Sequence, residues 1–226
     1  MDTSRIRLVA VDADDTLWDC QSYFTTAEQV FKETLLPYGP PEETFAQLTR
    51  RELANMDSLG FGGKAFTLSL VETAISYGAS TGEIHTILQA GRAVIDLPAT
   101  PLDGVVETLE ALRGRYRLIL YTKGDLQEQT AKIRRSGLAP LFDDVLIVAH
   151  KDESSYRRLC GANGCPPEAF LMVGNSFRSD IDPVLRIGGS GIHIPFHLSW
   201  AYEEVEEYDH PRLAKVATFK EILRFL

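Results

Sequence analysis

Asp12-Ala-Asp-Asp-Thr16 follows directly on the apolar run Leu8-Val9-Ala10-Val11. A stretch of small and β-branched residues, the composition of a buried strand, thus ends in three carboxylates and a hydroxyl. Asp12 and Asp14 stand two residues apart, so in continued strand geometry both carboxylates leave on one face. Like charges that close raise each other's pKa. A folded chain accommodates them when a cation lies between them or when one of them carries a proton, and either arrangement is a chemical site. The alternative is an acidic turn in which Asp14 or Asp15 caps the next helix.

Three further polar clusters stand behind apolar runs. Thr122-Lys123-Gly124-Asp125 follows Tyr116–Tyr121, Lys151 follows Val145–Val148, and Gly174-Asn175-Ser176 with Ser179-Asp180 follows Phe170–Val173. Singly, Thr122 reads as a satisfied hydroxyl or cap, Lys151 as a solvated surface lysine, and Asp180 as a cap. Together they suit phosphoryl transfer. A carboxylate can attack phosphorus and form an aspartyl-phosphate, and a second can protonate the leaving oxygen and then activate water. A hydroxyl and backbone amides can hold phosphoryl oxygens while a lysine offsets charge. Mg²⁺ takes oxygen ligands and keeps several waters, so one or two side chains suffice. Positioning and charge stabilisation are most of what the reaction needs.

The elements that must carry these residues alternate. Strands are expected at Arg7–Val11, Tyr116–Tyr121, Val145–Val148, Phe170–Val173 and Gly191–Ile194. Helices are expected at Val105–Leu112, Gln127–Arg135, Ser154–Cys160, Ile181–Ile187 and Phe219–Phe225. This pattern predicts an α/β fold, a doubly wound parallel sheet covered on both faces, with ligands bound beyond the carboxyl ends of the strands. From about Asp19 to Leu97 it is interrupted by four helical segments, Ala27–Leu36, Glu43–Leu53, Ala65–Tyr77 and Glu83–Ala93, with Pro and Gly turn signals between them. The expected organisation is a core of residues 1–18 and 98–226 with an inserted helical lobe of residues 19–97.

The chain has 226 residues, 44% of them hydrophobic, enough for a substantial core. A formal net charge of −9 argues against a nucleic-acid polymer or an anionic membrane as partner. No signal-peptide h-region follows Met1, and no apolar stretch approaches a membrane span, so a cytoplasmic protein is expected. Cys20, Cys160 and Cys165 lack zinc-like spacing. Cys160 and Cys165 are a conceivable pair, but without a secretion signal they read better as reduced thiols.

Asp12-x-Asp-x-Thr16, Thr122, Lys151 and Gly174-Asn175-Ser-x-x-Ser179-Asp180 resemble, in order and strand context, the motifs of the haloacid dehalogenase (HAD) superfamily. The resemblance spans Leu8 to about Ile194, and the long helical insertion resembles that superfamily's C1-type cap. It implies Asp12 as nucleophile, Asp14 as general acid and base, Thr122 as a phosphoryl-binding hydroxyl and Lys151 as a stabilising cation. For Mg²⁺ it implies the Asp12 carboxylate, the Asp14 backbone carbonyl and the fourth motif. Two residues depart from the pattern. Asp15 stands where many members have Gly and is assigned no catalytic role. Asn175 stands where phosphatases usually have Asp; its amide oxygen can still ligate Mg²⁺ without the charge, and Asp180 could compensate directly or through water.

The expected activity is a Mg²⁺-dependent phosphatase, monomer or homodimer, acting on a small phosphorylated metabolite. Thr16, Lys123 and Lys64 join Thr122 and Lys151 as phosphate- or substrate-binding candidates, and Asp12, Asp14, Asn175 and Asp180 are the metal candidates. Gly62-Gly63-Lys64 offers helix-terminal amides and a lysine to an anion, although an ordinary turn explains it as well. Arg50 and Arg51 are further guesses at specificity. A 2-haloacid dehalogenase needs neither an acid at position 14 nor a metal, so Asp14 argues against it and Asn175 leans toward it. A weakly catalytic phospho-ligand-binding protein is the other alternative within the superfamily. A phospho-signalling receiver would take phosphate on a middle-strand Asp and lack the insertion. Trp18 and Trp200 read as packing residues, His193 and His197 as structural or surface residues, and Arg113, Arg115 and Arg117 as a solvated edge.

Overall fold

Leu8–Val11 forms β1, every residue of it buried. In a computed structural model, which describes residues 1–198 and 200–226, this strand pairs in parallel on both sides, with β2 (Arg117–Lys123) and β4 (Phe170–Gly174). β3 (Asp144–Val148), β5 (Ser190–His193) and β6 (Leu213–Lys215) complete a parallel sheet of order β3-β2-β1-β4-β5-β6. A strand covered on both faces has no reason to alternate apolar with polar residues, and β1, β2 and β4 do not. Their alternate residues supply two separate cores. Val9, Val11, Leu120 and Val173 face helix α5 (Val105–Leu112) and the C-terminal turn Phe219–Arg224. Leu8, Ala10, Ile119 and Met172 face α7 (Glu153–Ala162) and α8 (Asp182–Arg186).

The predicted interruption is four helices: α1 (Gln21–Thr34), α2 (Pro41–Leu59), α3 (Gly63–Ser76) and α4 (Thr81–Ile95). Phe31, Leu48, Leu70 and Ile87 close a third core among them. Ser80 and Glu83 form a reciprocal capping box that starts α4. α1 begins six residues before the predicted segment and α2 runs six residues past it, because their ends carry polar residues that hide the apolar period.

Three expectations change. β6 was not anticipated, since three residues with one buried side chain, Ala214, carry no readable period. Phe219–Arg224 is a 3₁₀ helix, and the helix expected at Ile181–Ile187 is found as the short α8, preceded by a π-turn at Phe177–Ile181 that the sequence pattern does not show. Among the described residues no helix is long and apolar enough to cross a membrane. Cys20, Cys160 and Cys165 are buried free thiols.

Candidate active site

The register places the ends of β1, β2 and β4 level, with Val11 opposite Leu120 and Val173. The residues that follow therefore converge on one edge. The Asp12 N–H continues the ladder to the Val173 carbonyl at 2.9 Å, after which the chain turns. Asp15 sits at φ 61°, a left-handed conformation that Asp tolerates better than most side-chain-bearing residues. Its Oδ1 accepts the N–H groups of Cys20 and Gln21, each at 2.8 Å, so it orders the turn that leads into α1. Burial raises the Asp15 carboxyl to about 7 against those two hydrogen bonds.

The two oxygens of Asp12 keep different company. Oδ1 accepts from the buried Lys151 ammonium, which also donates to Asp180 Oδ1 at 2.6 Å. Oδ2 lies 3.4 Å from Thr16 Oγ1, which is itself 3.3 Å from Asn175 Oδ1. Burial raises Asp12 to about 7, with Lys151 opposing and Asp180 adding to the shift. Burial works against the Lys151 charge, but Asp12 and Asp180 more than restore it and hold its pKa above the usual lysine range. Asp180 has both oxygens engaged, the second by the Ser176 N–H at 3.0 Å. It packs so tightly that a Cβ on Gly174 would lie 2.2 Å from its Oδ2, which is why β4 ends in glycine.

Asp14 is held by residues absent from the candidate set. Lys132 of α6 (Leu126–Ser136) donates to its two oxygens at 2.8 and 2.6 Å, Trp18 Nε1 donates at 2.7 Å, and Gln129 Nε2 at 3.1 Å. Burial alone would raise this carboxyl; Lys132, Trp18 and Gln129 outweigh it and keep it below the usual carboxylate range. Gln129 also donates to Thr122 Oγ1 at 2.6 Å. Gln129 and Lys132, three apart on α6, are both buried. Nothing in the sequence showed that this polar face of α6 is the buried one. Trp18 is fully buried, and its indole N–H serves Asp14.

Lys123 pairs with Glu203 and donates to Ser179 Oγ at 2.9 Å. Glu203 also accepts from Ser176 and Ser179, a contact no local pattern indicated. His193 Nε2 donates to the Asn175 backbone carbonyl at 2.9 Å and so orients the loop after β4. Lys64 does not line the cavity over Asp12; its ammonium is 2.7 Å from Asp125 Oδ1. The amides of Gly63 and Lys64 are taken by the protein's own anion, Glu128, at 2.7 and 2.8 Å. That cavity, about 530 Å³, lies between the helical lobe and the sheet edge and is bounded by Asp12, Asp14, Thr122, Lys151, Asn175 and Asp180.

Among the described residues, no group of three or more His, Cys, Asp or Glu side chains is placed to hold a metal ion. The smaller donor set is chemically suited to Mg²⁺: Asp12 Oδ2 and Asn175 Oδ1 are hard oxygens that flank one hydroxyl.

A family model for haloacid dehalogenase-like hydrolases matches residues 6–188. The chain belongs to this family. The HAD-like assignment agrees with a crystal structure of a haloacid dehalogenase-like family hydrolase from Xanthomonas campestris, 37% identical, TM-score 0.87, covering 99% of this chain and 93% of that one. Among curated proteins, the glyceraldehyde 3-phosphate phosphatase of Methanothermobacter thermautotrophicus is 25% identical over 96% of this chain and all of its own. The L-2-haloacid dehalogenase of Xanthobacter autotrophicus shares the fold at 18% identity and TM-score 0.65, with 97% of each chain covered. The protein is thus a HAD-like hydrolase with both phosphatase and dehalogenase among its similar proteins.

Proposed function

We propose that this hydrolase is a Mg²⁺-dependent phosphatase of small phosphomonoesters, working through an aspartyl-phosphate on Asp12. The carrying observation is the division of labour at Asp12: Lys151 fixes one oxygen, while the other faces Thr16 and Asn175. Attack by an Asp12 oxygen forms an O–P bond as the P–O bond to the alcohol breaks, and the alcohol oxygen takes a proton from Asp14. Water then attacks phosphorus, gives a proton to Asp14, and frees the Asp12 carboxylate. Thr122 and Lys151 hold phosphoryl oxygens, and Lys123 joins them when it exchanges Glu203 for substrate. In this reading Asp12, the Asp14 carbonyl and Asn175 hold Mg²⁺, with Asp180 acting on that set through Lys151 and Ser176. Bound there, the ion supplies positive charge beside the nucleophile and phosphoryl oxygens. Residues 19–97 serve as the cap that excludes water and reads the alcohol.

Asp14 favours this reading over dehalogenation, because displacement of halide at carbon needs no second carboxylate. The test is a panel of phosphomonoesters and 2-haloacids, with Mg²⁺ and with EDTA, on wild type and Asp12→Asn. Phosphate release that needs both Mg²⁺ and Asp12 is expected. Halide release without phosphate release would overturn the proposal.

A further inference from the structure

Two carboxylates on the lobe side of the cavity have no role in the chemistry above. Glu28 of α1 and Glu52 of α2 both line it. Among the described residues neither has a hydrogen bond or an ion pair. The lobe cations that could have answered them are elsewhere. Arg50 donates to Gln47, Arg51 reaches Glu72, and Lys64 is paired with Asp125. Lys32, one turn beyond Glu28, pulls on it electrostatically but forms no ion pair with it, its ammonium lying 3.8 Å from the Phe45 ring centroid. The cavity's own lysines, Lys123, Lys132 and Lys151, are each ion-paired with a core carboxylate.

Asp12 and Lys151 independently fix where the phosphoryl group goes, so the two glutamates decide what can occupy the leaving-group end. We propose that Glu28 and Glu52 select a phosphomonoester whose alcohol carries an ammonium group, and reject one whose alcohol carries a carboxylate. This inference rests on the phosphatase reading. An ammonium entering between the two glutamates makes charge-assisted hydrogen bonds to groups that have no partner. A carboxylate entering there meets like charge in a partly dry site. Burial raises both glutamates, and repulsion from Glu28 helps bring Glu52 to about 7. A cation between them favours the ionised form of both. Phe24, Met56 and Phe66 of the same helical lobe also line the cavity and supply apolar walls for the carbon skeleton.

The experiment compares glucosamine 6-phosphate, glucose 6-phosphate and phosphoglycolate, with 4-nitrophenyl phosphate as a reference, all with Mg²⁺. Wild type is expected to prefer glucosamine 6-phosphate over glucose 6-phosphate at least tenfold in kcat/KM, with phosphoglycolate the poorest. Glu28→Gln and Glu52→Gln should each reduce that ratio to threefold or less, and Glu52→Lys should raise phosphoglycolate above glucosamine 6-phosphate. Should a variant not fold, inhibition of wild-type 4-nitrophenyl phosphate turnover decides, with ethanolamine expected to inhibit and glycolate not. Equal use of the two sugar phosphates, or of neither while 4-nitrophenyl phosphate is hydrolysed, overturns the inference, as does an unmoved ratio in folded Gln variants. No phosphate release from any compound overturns the phosphatase reading itself.

Discussion

Asp12 and Asp14 are two residues apart and electrostatically opposite: burial prevails at one, while at the other Lys132, Trp18 and Gln129 together outweigh it. As the proposed acid Asp14 must hold a proton, yet Lys132 helps keep its pKa low, so the proposed acid step requires that clamp to loosen while the proposed base step uses the carboxylate as it stands. Lys132→Met removes the main cation and should raise the Asp14 pKa, shifting the acidic limb of kcat/KM upward by a pH unit or more. The matching readout is the leaving group, since alkyl phosphates that need a proton should be affected more than 4-nitrophenyl phosphate. An unchanged limb would mean that Lys132 only packs. Asn175 carries the second prediction. Asn175→Asp restores a charge beside Asp12 and should lower the Mg²⁺ concentration for half-maximal activity roughly tenfold, worth about 1.4 kcal/mol. A Mg²⁺ titration in which the variant needs as much or more would show that Asn175 does not face the metal. At this scale the sequence was legible where a residue follows a strand directly. Asp12, Thr122, Asn175 and Asp180 could be found because an apolar run points at them. Gln129, Lys132 and Glu203 could not, because only the folded chain brings α6 and the 201–203 turn to the site.

Helix α3 begins on the carboxylate of another element. Glu128 of α6 accepts both the Gly63 and Lys64 amides while itself only 4% exposed, which joins the lobe to the core. The positive end of α3 favours that carboxylate, and the two amides would otherwise be unsatisfied. Lys64–Asp125 lies beside it but is half-exposed and contributes little. Glu128→Ala should therefore cost about 1–3 kcal/mol, lowering Tm by roughly 3–10 °C for a chain of this size. Asp125→Ala also removes the α6 cap, so Lys64→Ala is the cleaner control and should change Tm by no more than about a degree or two. Thermal unfolding of the two variants checks this. If Glu128→Ala melts with wild type, the contact does not anchor the lobe. The long helices and central strands were readable because their period is sustained; β6 and the terminal 3₁₀ turn were not, because three to six residues at a sheet edge are shaped by what they pack against. Gly62-Gly63-Lys64 can be read as a site for a substrate anion or as an ordinary turn; the folded chain gives its amides to the internal carboxylate of Glu128.

Across the whole molecule the burial of acids fixes how stability depends on pH. Asp12, Asp15 and Glu52 are each raised to about 7 by burial, from ordinary values of 3.8, 3.8 and 4.5. Between pH 5 and 7 these groups have lost their protons in the unfolded chain but retain them in the folded one. The folded state then binds more protons, so unfolding free energy falls as pH rises. Their contribution is complete below the unfolded values and is lost as pH climbs through about 7. Asp14 and Glu203, both lowered because lysine contacts outweigh burial, act in the opposite sense, but their contribution is lost only as pH falls through the acid range. From pH 5.5 to 8 the raised group outnumbers His193, which burial lowers and which acts in the opposite sense in the same window, so Tm in EDTA should fall. Glu52→Gln removes one titrating carboxyl from that window and should flatten the fall. Asp12 and Asp15 carry the rest, so the variant's slope should remain negative. A Tm that rises across this interval in EDTA would mean that these carboxyls are ionised in the folded protein throughout.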